Sequence, residues 1–265
     1  MRKPAFVDFL HGGGAFSSPR IMSFQTTAGI GLAAGAVLLV ALGGTARGEH
    51  DGSDILEMSK HMVELERAGK YDSAIPLAEH ALSSSEQTLG PEHPTVAVYA
   101  EHLAVLHHTL GQNGKAEPLF QRALGIQERL LGAEHPAVAT TLNHMARLYM
   151  TTKRPAQAET LLQRALKIRE KTLDPENPAI ATILGNLGVL YESQGQYARA
   201  EPLLQRTLAI QEKKLGPGHP SVAISLDNYA HLLRKTHRDE EAAPLEARAR
   251  AIRKNAPAAR NESTR

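Results

Sequence analysis

The chain has 265 residues, 42% of them apolar but only 4% aromatic, with no Trp and no Cys. The missing cysteines exclude disulfides, thiolate metal sites and a Cys nucleophile. The formal charge of +2 comes from the first 46 residues, which hold Arg2, Lys3 and Arg20 against Asp8; the remainder carries 27 basic and 27 acidic side chains and gives no reason to propose nucleic acid.

In chain order, residues 1–46 form a leader. Residues 21–46 carry no charge, and 28–43 are an apolar run behind the three basic residues. Gly44, Thr45 and Ala46 offer small residues for cleavage, so a secretory signal is the first reading. The run is slightly long for that and slightly short for a comfortable span. An uncleaved signal anchor is the rival, and the basic residues would then still leave the rest of the chain on the far side of the membrane. Either way the chain is expected to be exported or extracytoplasmic, free in the first case and membrane-anchored in the second. A translation start at Met22 would remove every basic residue upstream of the run.

Residues 47–254 are governed by a 42-residue period. Pro94, Pro136, Pro178 and Pro220 recur at that spacing, each after His93, His135, Asn177 or His219. The units are 51–92, 93–134, 135–176, 177–218 and 219–260, the first weaker and lacking the His-Pro opening. Each unit holds two stretches with apolar residues at three- and four-residue spacing, which predict two amphipathic helices, roughly 95–110 and 115–130 in the second unit. The His/Asn-Pro pairs suit a helix start with Pro at the first helical position. Pro76, Pro118, Pro202 and Pro244 are expected in the first turn of the second helices, where their missing N–H breaks no bond. Gly90, Gly132 and Gly216 read as left-handed stops. Small residues at Ala104, Ala146, Gly188 and Ala230, and at Ala74, Ala116, Ala158, Ala200 and Ala242, mark close helix approaches. The last unit carries Glu246 where its siblings have Phe120, Leu162 and Leu204, the polar outer helix that a terminal repeat needs. Residues 255–265 read as a disordered tail.

The leucine-small-x-x-tyrosine pattern with an alanine nine residues on appears at Leu187, Gly188, Tyr191 and Ala200, and with Met145 in place of the leucine at Ala146, Tyr149 and Ala158. With the HPxVA opening and the long period, it resembles tetratricopeptide-repeat proteins with kinesin-light-chain-like repeats, over about residues 51–254. The resemblance implies an all-α, right-handed α-solenoid of about five antiparallel helix pairs, whose first helices line a concave wall that binds an extended peptide or partner helix. That wall is expected to present Glu101 and His102, Asn143 and His144, Asn186, Asp227 and Asn228, with Arg147 and His231 one turn later. In kinesin-light-chain-like arrays an Asn-Asn pair contacts the peptide backbone; Asn186 and Asn228 match its second member and Asn143 its first. An amide side chain offers donors and an acceptor to such a backbone.

The expected function is thus a non-enzymatic scaffold for a protein or peptide partner. Alternatives are a self-associating component of a membrane complex, through the Gly31/Gly35 pair or the exposed repeat ends, and a His-dependent metal enzyme built on His102 and His144. No HExxH, EF-hand, phosphate-binding or GxSxG motif occurs, so no catalytic residue, cofactor or metal ligand is assigned. Arg122, Arg164, Arg206 and Arg248 recur on the second helices and are expected to pair with nearby glutamates.

Overall fold

A computed structural model describes residues 49–255. The leader and the tail beyond Asn255 lie outside the described residues, and with them the apolar anchor segment. Among the described residues there are ten helices and no strand. They are α1 (Glu49–Arg67), α2 (Tyr71–Leu89), α3 (Pro94–Thr109), α4 (Asn113–Leu131), α5 (Pro136–Thr151), α6 (Pro155–Thr172), α7 (Pro178–Ser193), α8 (Tyr197–Leu215), α9 (Pro220–Lys235) and α10 (Asp239–Asn255). None of them is long and apolar enough to cross a membrane.

Each 42-residue unit is one antiparallel pair, and each helix also packs on the first helix of the next unit or the second helix of the one before. From the second unit onward successive first helices touch, α3 with α5, α5 with α7 and α7 with α9, whereas successive second helices do not. Helices spaced more closely on one side make an array that curves toward that side. The first helices therefore form the inner wall.

The starts of the first helices follow the expected chemistry. His93, His135 and His219 accept through Nδ1 from the backbone N–H of Thr95, Ala137 and Ser221 at 3.2, 3.2 and 3.1 Å, and Asn177 Oδ1 accepts from Ala179 at 2.9 Å. Each therefore satisfies one donor that the first turn would leave orphaned. The stops differ from expectation in detail. Gly132 has φ 86° and ψ 152°, a mirror-extended conformation and not the left-handed helical one, and Gly90 and Gly216 match it. That region is all but closed to residues with a Cβ. In the third unit Asp174 stands at this position and α6 instead exits through an extended Leu173, with Asp174 Oδ1 accepting from Glu176 N–H at 2.8 Å.

The internal prolines are a correction. Pro76, Pro118, Pro202 and Pro244 are the sixth residues of α2, α4, α8 and α10, one turn deeper than expected. The helices begin earlier than their apolar pattern, so each proline falls beyond the orphan donors and forfeits a helical hydrogen bond. The third unit avoids this, with Pro155 at the start of α6 and Thr160 in the later position.

Packing rests on the small residues. Ala74, Ala116, Ala158, Ala200 and Ala242 are fully buried, and Phe120, Leu162 and Leu204 seat beneath the first helices. At Gly188 there is no room for a side chain as placed, since a Cβ there would stand 2.7 Å from Leu204 Cδ2. The outer helix α10 buries only Ala242, Ala249 and Ile252, in keeping with its polar sequence.

Candidate functional site

On the inner wall the expected residues do not form a free-standing strip; most are tied across the joints between units. Glu66 at the end of α1 meets His102 Nε2 on α3, both nearly buried. Glu101 on α3 holds His144 of α5 at 3.0 Å from its Nδ1 and accepts from Gln127 Nε2 at 3.2 Å. Asn186 Nδ2 on α7 donates to Asn143 Oδ1 on α5 at 2.9 Å. Glu192 Oε1 lies 3.0 Å from His231 Nδ1 on α9, although the angle is not that of a hydrogen bond. Asp227 pairs with Arg253 of α10.

Two ties share a register: residue n on one first helix reaches n + 43 on the next, as in Glu101 with His144 and Asn143 with Asn186. The next rung would join residue 185 to Asn228, but residue 185 is glycine. Asn228 is accordingly left with both amide atoms buried and unpartnered. Asn186 Oδ1 and Arg147 Nε are in the same state. Buried polar atoms without partners are uncommon in folded proteins and call for an explanation.

The electrostatics follow from burial. Desolvation holds the Arg147 guanidinium down to about 10. It also pushes the Glu192 carboxyl up, against the opposing pull of His231 and Lys235. His108, on α3, is held low first by burial and then by the charges of Arg147 and His144, while its bond to Asn113 acts the other way. Arg147 and His144 thus both bear on one side chain of the neighbouring helix.

The wall is also uneven in depth. Every residue of α7 from Ile180 to Glu192 is buried, including Gly185, Asn186 and Val189 on its inward-facing registers, whereas α5 leaves Thr140, His144, Arg147 and Met150 partly open.

Sequence reasoning missed Glu66, His108 and Glu192. They occupy one equivalent position of the period, and so were recognisable as a recurrent polar register. Among the described residues no group of three metal-ligating side chains comes together, and His102 and His144 each face a carboxylate of a different helix.

On the second helices, Arg122, Arg164, Arg206 and Arg248 reach Glu86, Glu128, Glu170 and Glu212 of the preceding unit. The expected ion pairs are present, and they run between repeats.

This geometry has relatives. The tetratricopeptide-repeat family model matches residues 60–129, 98–171, 138–213 and 179–255. A putative kinesin light chain with nearly identical TPR-like repeats from Podosopora anserina is 28% identical, with a TM-score of 0.61 over 79% of this chain and 100% of that one. BtubC (BKLC) from P. vanneervenii is 22% identical, with a TM-score of 0.65 over 86% of this chain and 89% of that one. PilW, a widely conserved type IV pilus biogenesis factor, is 22% identical, with a TM-score of 0.55 over 76% of this chain and 78% of that one. At that identity the last two share the fold alone. A comparison with curated proteins gave no match. Four overlapping matches across the five helix pairs, on a backbone shared with a kinesin-light-chain relative, make this chain a member of the tetratricopeptide-repeat family with kinesin-light-chain-like repeats.

Proposed function

We propose that the chain is a protein-interaction scaffold that binds an extended peptide or a partner helix along the inner wall of a right-handed solenoid. The observation that carries this reading is where its unsatisfied polar atoms lie. Among the described residues, the buried side-chain atoms with neither a hydrogen bond nor an ion-pair partner belong to Arg147, Asn186 and Asn228, all on first helices. Groups of this kind gain most from a ligand that supplies hydrogen bonds. Glu101, His102, Asn143, His144 and Asp227 then act at one remove, holding successive helices at fixed spacing. Asn186 and Asn228 read the ligand after a side-chain rotation, since both are buried in the unbound wall.

The chain has no Cys, so a single thiol can be placed at will. Met150→Cys sits on the open part of the wall and Gln121→Cys on the exposed face of α4. Peptides selected from a random display library on the full chain should lose binding when a bulky maleimide occupies position 150 and retain it when the label is at 121. Equal binding by both labelled proteins would sink the groove assignment.

Export or tethering through residues 28–43 is part of the same proposal, supported by the apolar run behind three basic residues. A phosphatase reporter fused within the array and active only outside the cytoplasm should be active in a bacterial host. An inactive but intact fusion would refute export.

A further inference from the structure

Among the described residues the large apolar side chains left exposed are Leu89, Leu130 and Leu131, and all three line one notch. It lies where the end of α2, the turn through Pro91 and Glu92, the start of α3 and the end of α4 meet, and it holds about 540 Å³. Its polar groups are already taken. Glu92 pairs with Arg129, His93 Nδ1 accepts from Thr95 N–H, and Pro91 O accepts from Arg122. What remains to be covered is apolar. Leu130 is the most exposed of the three at 49%, and it stands where other units carry Thr88, Thr172 and Lys214. Leu89 and Leu131 recur as Leu173 and Leu215, which are half-buried. The exposed leucines are thus confined to the first two units. Leucines clustered in this way mark an interaction site, whereas single scattered ones need no explanation.

The same corner is where the leader joins the array. α1 and α2 are antiparallel helices of 19 residues each, joined through residues 68–70, so Glu49 stands level with Leu89. The chain from Gly43 to Glu49 can reach at most about 20 Å, or some two spacings of packed helices at about 8–10 Å each. We infer that the notch is a resting place for the leader's own apolar run, with residues 37–42 (VLLVAL) seated on Leu89, Leu130 and Leu131 until a bilayer takes them. The inference rests on the reading in which residues 28–43 are retained, and it is independent of the groove. Residues 21–46 carry no charge, so nothing charged has to enter the notch. A bilayer buries the whole run and the notch only part of it, so the larger apolar area wins once a membrane is present.

The test uses the full chain made by cell-free synthesis without membranes, which retains the leader whatever its fate in a cell. Leu38→Cys is paired with Leu89→Cys or, as the control, with Gln121→Cys on the exposed face of α4. Oxidation should close an intramolecular disulfide in the first pair and not in the second, with a yield that does not fall on dilution. Leu130→Thr, the residue of two sibling units, should lower that yield several-fold and leave the melting temperature nearly unchanged. Phosphatidylcholine vesicles should abolish the bond. Dimers that vanish on dilution would show that a second copy fills the notch, and would overturn the inference. So would equal yields at 89 and 121, a yield indifferent to Leu130→Thr, or a bond that persists undiminished with vesicles. The phosphatase fusion reads export separately: an inactive fusion alongside an intact bond refutes export and leaves the notch assignment standing.

Discussion

His135 shows how much of the architecture is carried by single side chains. Its ring nitrogen accepts from Ala137 N–H, and Pro136 locks the first helical residue behind it. Asn177 does the same with an amide oxygen in the following unit. His135→Ala should therefore cost about 1 kcal/mol of unfolding free energy, and His135→Asn should be nearly silent in the same thermal melt. A like effect of both would show that the cap is unimportant. These starts were readable from sequence because a cap involves only three consecutive residues. The orphaned amide of Asn228 was not readable, since it depends on the missing side chain of Gly185 on another helix.

Among the helices, the second members carry a built-in defect that the third unit lacks. Pro118 interrupts the ladder of α4 in its second turn, where Thr160 continues that of α6 and its side-chain Oγ1 also donates to Ala156 O at 3.0 Å. Pro118→Thr should stabilise the array by about 1–3 kcal/mol, the usual penalty of an internal proline, measured by chemical denaturation. Lower stability would mean that the proline sets a bend on which the neighbouring units rely. The helix period itself was plain in the sequence, as was the close approach at Ala158 and Ala200. The starting residue of each second helix was not. Polar turns such as Asn113 to Lys115 add no apolar signal, so the prolines looked one turn nearer the end than they are.

For the molecule as a whole, the joints between units decide stability, because no unit could bury its apolar face alone. One polar cluster there has a clear pH signature. Tyr149 donates to Glu117 at 3.0 Å, and Arg154 grips the same carboxylate at 2.9 and 2.7 Å while its guanidinium lies 4.0 Å from the Tyr149 ring centre. The Arg154 hydrogen bonds hold the Glu117 carboxyl below its usual range. A carboxyl depressed on folding adds stability above its unfolded pKa and loses it as pH falls through the folded one. Glu117→Gln should lower stability by about 0.5–1 kcal/mol near neutrality, with the gap to wild type closing as pH falls below the ordinary carboxylate range. A pH-independent difference would show that the pair contributes packing and not charge. The five pairs were legible in the 42-residue period, and the family and its inner wall in the motif resemblance built on it. The cross-joint partners were not, because they fall at steps of 36, 39 or 43, where no local periodicity points.

The asymmetry of those joints has a mechanical meaning. From the second unit onward first helices touch from unit to unit, while second helices make no such approach and are linked by ion pairs such as Arg164 with Glu128 and Arg206 with Glu170. A stack joined firmly along one edge and by pliable stays along the other flexes like a folding fan. Its pivot line is the wall on which the peptide would lie. Changes of curvature should then open and close the outer face by several times more than they alter the spacing of the inner one, so the array can yield without losing its grip.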